Sequence, residues 1–183
     1  MDYQVLENDE LKVEVLNKGA EIKSIRSKKD GTEYIWQADG KFWSRHAPIL
    51  FPIVGKLKDD RYSLNDQTYP MSQHGFARDR VFSVSQQETD SLSLTLKDDV
   101  ASLDIYPFSF ELTIEYKLIE NSLIVRYLVK NRDENKTMYF AIGAHPGFNL
   151  PLDNQTTFED YYLEFSPKQT RKFIPVTEEV LLK

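Results

Sequence analysis

Two of the three histidines in this 183-residue chain sit in glycine-punctuated motifs. His74 belongs to Gln73-His74-Gly75-Phe76-Ala77-Arg78, and His145 to Gly143-Ala144-His145-Pro146-Gly147-Phe148-Asn149. Histidine titrates near pH 6.5 or so, close enough to neutrality to give or take a proton. Pro146 biases His145 toward extended backbone, so its side chain projects stiffly from a strand end, and Gly147 permits a tight exit. Gly75 supplies an unusual backbone angle directly after His74. Alone, each histidine reads as well as a structural group, half exposed in a turn or hydrogen-bonded to backbone. Together, on separate and sharply turned segments, they point to a site that moves protons.

A third segment runs Arg45-His46-Ala47-Pro48-Ile49-Leu50-Phe51-Pro52. Two prolines bracket an apolar run, which predicts an edge or bulged strand. Arg45 could fork hydrogen bonds onto adjacent hydroxyls or a phosphate, or simply cover an aromatic face beside Trp43. His46 should project to the face opposite Arg45 and ranks below the other histidines. No HxH or HxxxH spacing supports a metal site, and no Gly-x-Ser-x-Gly elbow supports a serine nucleophile.

Composition narrows the class. The chain is 40% hydrophobic and 28% charged, which is globular rather than disordered. Its formal charge is −6 and its only local basic run is Lys28-Lys29, which argues against a nucleic-acid partner. With no cysteine, disulfides, thiolate metal sites and a cysteine nucleophile are excluded. No apolar run approaches membrane length and the first residues lack a signal-peptide pattern, so the expectation is a cytoplasmic protein without a membrane partner.

The elements that must position these residues are strands. Phe108, Phe110, Leu112, Ile114, Tyr116 and Leu118 alternate with polar residues, and Leu123, Val125, Tyr127 and Val129 repeat the pattern after a turn, which predicts a hairpin. Leu11 to Val15 alternates likewise. Further hairpins are expected around Asp30-Gly31, Asn65-Asp66 and Glu88 to Asp90, with added strands at Met138 to Ile142 and Tyr161 to Phe165. No long stretch has helical period; Glu178 to Lys183 forms at most a short turn. The reading is an all-β antiparallel sandwich, with residues 1–183 as one domain.

The motifs resemble the aldose 1-epimerase (galactose mutarotase-like) family, closest to its bacterial LacX-type branch. The resemblance is carried by Gly19-Ala20-Glu21-Ile22, Arg45 to Gly55, His74 to Arg78, Tyr106-Pro107-Phe108 with Phe110, and Gly143 to Asn149. It implies a β-sandwich that interconverts the α and β anomers of a free aldohexose, without cofactor or metal. It makes His145 the general acid, His74 the group that binds and polarises the sugar, and Arg45 a substrate-binding group. Arg78 and Phe148 join the substrate-binding set, with Trp43, Phe76 and Phe148 as candidates to pack on the sugar. The family's general base is a glutamate nearer the C-terminus, and a sugar-binding aspartate lies there too; neither has a matching motif before Lys183. The resemblance therefore covers about the N-terminal two-thirds of such a protein. The sandwich is expected to be incomplete on its C-terminal side, with sheet edges that invite pairing with another chain. Glu178, Glu179 and Asp160 are the first carboxylates to mutate should the chain prove active alone. Two other readings stand beside this one. A hexose-6-phosphate epimerase would use Arg45, Lys56, Arg78 and Arg80 as phosphate contacts, and a non-catalytic carbohydrate-binding domain would need no base.

Overall fold

Period-two alternation dictates the architecture of the computed structural model, which describes residues 2–166, Pro175 and Thr177. Strands β1 (Tyr3–Glu7), β2 (Leu11–Leu16) and β3 (Ile22–Ser27) form an antiparallel sheet in that order. After the short β4 (Ile49–Leu50), β5 (Arg61–Leu64) and β6 (Gln67–Pro70) make a separate hairpin. Strands β7 (Ser83–Gln87), β8 (Ser91–Lys97), β9 (Phe110–Ile119) and β10 (Ser122–Asn131) form a four-stranded antiparallel sheet, ordered β10-β9-β8-β7. The two-residue β11 (Gly143–Ala144) returns to pair with β4.

The buried faces of the two larger sheets share one core. Leu11, Val13 and Val15 of β2 meet Leu92, Leu94 and Leu96 of β8 and Phe110, Leu112, Ile114, Tyr116 and Leu118 of β9. Fully burying each such aliphatic or aromatic side chain contributes about 1.5–3 kcal/mol. Phe51, Phe76, Tyr106 and Phe110 close one end of this core with tilted and edge-on ring contacts 5.3 to 6.4 Å apart.

The expected β9–β10 hairpin forms with unbroken register from Ser122↔Ile119 to Asn131↔Phe110. Asn65 and Asp66 both take positive φ, 48° and 63°, which is what a two-residue primed turn requires between β5 and β6. The Asp30-Gly31 turn also forms, but its second arm meets β3 only at the single bridge Arg26↔Glu33.

Two expected strands are absent as regular elements. Residues 161–165 run without ladder assignment, and Tyr162 and Leu163 are largely exposed, so the alternation there has no sheet face to bury. Residues 138–142 likewise carry no strand assignment, for a reason given below. One α-helical turn among the described residues went unpredicted: α1 (Val100–Leu103) is nucleated by a capping box in which the Asp99 carboxylate accepts from the Ser102 N–H. No helix among the described residues is long and apolar enough to cross a membrane.

Candidate active site

The segment that carries His145 is held by a ladder that is paired at β11–β4 and one-sided at its flanks. Ala141, His145 and Gly147 donate backbone N–H bonds to the carbonyls of Pro52, Pro48 and His46, in register with the β11–β4 pair. A regular antiparallel ladder would return a bond from each opposed residue. Pro48 and Pro52 have no N–H to return, and the His46 N–H is directed to the Glu21 carboxylate at 2.6 Å. Regular strand therefore shrinks to two residues, and the expected strand at Met138 to Ile142 becomes an extended approach to β11. Gly147 is required where the segment leaves: a Cβ there would stand 2.9 Å from the Trp43 ring and 3.0 Å from the Trp36 Cβ.

His74 is fixed from the other side. The turn Ser72 to Gly75 closes through a bond from the Gly75 N–H to the Ser72 carbonyl. His74 fills its third position at φ 67°, where Gly or Asn is the ordinary choice. Backbone held in this region by a bulky side chain is strained and persists only where neighbours over-determine it. Here Gly55 does so: the Gly55 N–H donates to His74 Nδ1 at 3.0 Å, and the His74 N–H donates to the Gly55 carbonyl. With Nδ1 accepting, the neutral ring carries its proton on Nε2. Burial, the nearby Arg78 guanidinium and His145 all push the His74 pKa below its ordinary value. His74 is thus held as a neutral hydrogen-bond donor.

The two imidazoles meet. Their ring centroids lie 6.0 Å apart in an edge-on arrangement, although 145 − 74 = 71 positions separate them in sequence. His145 is exposed and His74 half-buried. Trp43 packs against His145 at 5.1 Å. Among the described residues no carboxylate bonds to either ring; Asp160 caps its own turn by accepting from the Thr157 N–H and hydroxyl. Glu178 and Glu179 lie outside the described residues.

Arg78 and Arg45 continue the arrangement. Arg78 Nη2 donates to the Gln73 carbonyl at 2.7 Å, while its buried Nε has no hydrogen-bond partner. Burial and the adjacent Arg45 charge pull the Arg78 pKa down from its ordinary value. Arg45 pairs with Asp79 at 2.7 Å and reaches toward Glu21 at 3.9 Å. A cavity of about 280 Å³ opens beside these arginines; its lining includes Lys18, Glu21, Ser44, Arg45, His46 and Arg78 but neither His74 nor His145.

Other expected positions fall elsewhere. Phe76 is 7% exposed and packs into the core, so it is not a sugar-facing ring. Phe148 lines a different, apolar cleft with Tyr34, Leu152, Phe158 and Tyr161, whose lining includes neither histidine. Arg80 pairs with Asp99 and covers the Phe76 ring, apart from the Arg45–Arg78 pair. His46 donates its Nδ1–H to the Trp36 carbonyl at 2.8 Å, a structural bond that suits its lower rank.

Glu21 is the residue that sequence reasoning passed over. It is 4% exposed, and its Oε1 accepts from the backbone N–H groups of both His46 and Ala47, at 2.6 and 2.9 Å. Its motif, Gly19-Ala20-Glu21-Ile22, is legible in the sequence but assigns the carboxylate no role; in the fold, Gly19 and Ala20 before it take positive φ, 73° and 46°.

The aldose 1-epimerase family model matches residues 2–182. The chain belongs to the aldose 1-epimerase family. Among curated members, the plasmid and chromosomal LacX proteins of Lactococcus lactis subsp. lactis are each 40% identical over 166 residues, 88% of this chain and 55% of theirs. A galactose mutarotase related enzyme from Lactobacillus acidophilus is 42% identical, with a TM-score of 0.92 over 98% of this chain and 59% of that one. A galactose mutarotase-like protein from Lactobacillus casei ATCC 334 is 43% identical, with a TM-score of 0.80 over 84% and 52%. This aldose 1-epimerase family chain thus spans little more than half the length of these relatives, and its antiparallel sheets are those of a galactose mutarotase-like fold.

Proposed function

We propose that the chain is the part of an aldose 1-epimerase that binds a free aldohexose and supplies the acid for its ring opening. The observation that carries this reading is the pairing of a neutral, hydrogen-bond-donating His74 with an exposed His145 at 6.0 Å. Two imidazoles held in different roles within reach of one hexose are what acid catalysis at a ring oxygen needs.

Anomerisation balances simply. A base takes the C1 hydroxyl proton while protonated His145 gives its proton to the ring oxygen. The bond between C1 and the ring oxygen breaks, leaving an aldehyde at C1 and a hydroxyl at C5. Rotation about C1–C2 and closure on the other face form the second anomer, the base returning its proton to the C1 oxygen while His145 recovers its own from the C5 hydroxyl. The His74 Nε2–H polarises a sugar oxygen, and Trp43 offers a ring face beside His145. The base is assigned, by resemblance, to the portion of the relatives that this chain does not span.

The test is polarimetry on freshly dissolved α-D-glucose or α-D-galactose. The 183-residue chain should be 10²–10⁴-fold slower, in order of magnitude, than a full-length relative. A chain extended with the relative's remaining residues should recover the rate, and His145→Asn should then remove most of it. Full activity of the short chain would place the base within it. A second reading, a phosphorylated hexose, draws on Arg45, Arg78 and Lys18 sharing the rim of one cavity. The non-catalytic reading draws on the lack of a carboxylate at the two rings among the described residues.

A further inference from the structure

The arginines beside the histidines do not stand as free charges. Arg45 has Asp79 at 2.7 Å and Glu21 at 3.9 Å, and it also donates to the Arg78 carbonyl at 3.4 Å. Arg78 has the other Asp79 oxygen at 3.8 Å. Two guanidinium groups thus face two carboxylates.

The two carboxylates are not equivalent. The Asp79 side chain is 48% exposed, so water and salt screen its pairing. The Glu21 side chain is 5% exposed, and its charge acts through protein rather than solvent. A buried carboxylate persists only if it is hydrogen-bonded or paired. Glu21 is held by the His46 and Ala47 N–H groups and by Arg45. Those same bonds fix the backbone immediately after Arg45, so Glu21 sets both where the guanidinium stands and how much charge it presents. Lys18 also lines the cavity, but it is exposed and solvated.

We propose that Glu21 sets the charge selectivity of this site, keeping the two-arginine rim electrically balanced so that it takes neutral sugars and turns away phosphorylated ones. This rests on the reading that His74, His145 and Arg45 face one sugar. Arg45 then donates hydrogen bonds to hydroxyls, and an incoming phosphate finds the buried Glu21 charge behind Arg45 and the half-exposed Asp79 carboxylate shared by both guanidiniums. Glu21 is a positioning residue and touches no substrate itself.

The experiment titrates the whole 183-residue chain with D-glucose, D-glucose 6-phosphate and inorganic phosphate, following the histidine ring protons by NMR. Wild type is compared with Glu21→Gln, which keeps an oxygen for both backbone N–H groups and removes the charge. The ratio of glucose 6-phosphate to glucose affinity should rise about tenfold or more in Glu21→Gln, and inorganic phosphate should gain a salt-sensitive site. A folded Glu21→Gln with an unchanged ratio overturns the inference, as does wild-type protein that already prefers the phosphorylated sugar. If Glu21→Gln does not fold, Asp79→Asn decides the matter. A smaller shift in the same direction supports the proposal, and no shift refutes it. If wild type binds neither sugar, the proposed function fails. The phosphate titration still decides this inference, since only a charge-balancing Glu21 predicts that its neutralisation creates phosphate binding.

Discussion

Gly55 and His74 are locked to each other by a reciprocal pair of bonds. The Gly55 N–H donates to His74 Nδ1 at 3.0 Å, and the His74 N–H donates back to the Gly55 carbonyl at 2.8 Å. Ring and backbone are fixed together, so the tautomer of His74 follows from a main-chain contact rather than from a ligand. That contact also carries the cost of φ 67° at a β-carbon-bearing residue.

Protonating His74 must break the Gly55 bond, because Nδ1 then becomes a donor facing a donor. Its folded pKa lies below the ordinary 6.5, with burial the leading cause. Between the two values the unfolded chain holds more protons, so stability rises with pH. This contribution is complete above pH 6.5 or so and is lost as pH falls through the folded value. Urea midpoints measured between pH 5 and 7.5 should fall on the acid side. His74→Asn, which tolerates the same backbone region, should flatten that slope.

Gly75, at φ 72°, is bounded by the Phe51 carbonyl and Pro52 nitrogen, which an added Cβ would overlap. Gly75→Ala should cost more than about 2 kcal/mol in denaturant unfolding, since left-handed backbone alone costs an L-residue roughly 1–2. Gly31→Ala, at φ 77° but with nothing within 4 Å of the added carbon, should cost only the backbone part. The difference between the two isolates the contact.

Tyr116 is about 1% exposed, and its hydroxyl donates to the Ala20 carbonyl at 2.5 Å, next to Glu21. Tyr116→Phe should destabilise by about 1–3 kcal/mol by leaving that buried carbonyl unpaired. Burial also raises this hydroxyl well above the ordinary 10 and lifts Tyr62 to about 12. Groups raised on folding stabilise fully below the unfolded value and lose that contribution as pH climbs through the folded one. Unfolding should therefore set in on the alkaline side of pH 10, and Tyr116→Phe should shift its onset upward relative to its own neutral-pH stability.

Trp43 and Phe148 separate two accounts of which ring meets the sugar. Trp43 lies 5.1 Å from the His145 ring, whereas Phe148 lines the cleft with Tyr34 and Phe158. Trp43→Ala should weaken glucose or galactose binding by about tenfold. Phe148→Ala should leave it within about a factor of two. NMR titration of the His145 ring protons reads both, and the reverse order would restore Phe148 to the site.

What could be read from the sequence followed from local rules. The alternation of β9 and β10 and the Asn65-Asp66 turn needed only near neighbours, and the structure matches both. The approach of His74 to His145 was expected because both motifs sit at chain reversals. Residues 138–142 misled because alternation specifies a face but not a ladder, and the prolines that break the ladder lie some ninety positions earlier, at 48 and 52. Phe76 misled for a related reason: its motif carries His74 and Arg78 on either side, and only tertiary packing shows that it belongs with Phe51 and Phe110. Glu21 was hidden because its partners, His46 and Ala47, are remote in sequence and are backbone groups, which no side-chain pattern announces.

The short, one-sided flanks of the ladder at His145 have a kinetic consequence. Outside the two-residue β11–β4 pair, its bonds run from Ala141, His145 and Gly147 to the carbonyls of Pro52, Pro48 and His46, and Pro48 and Pro52 can return none. Such a segment opens at lower free energy than the continuous ten-residue pairing of β9 with β10. The amide of His145 should exchange with deuterium well before that of Ile114, through openings in which the sheets stay folded. In each opening His145 leaves His74 and later returns to it. The ring proposed as the proton donor is thereby mounted on a readily opened piece of the frame, and His145 and His74 meet only for the fraction of time that this piece is seated.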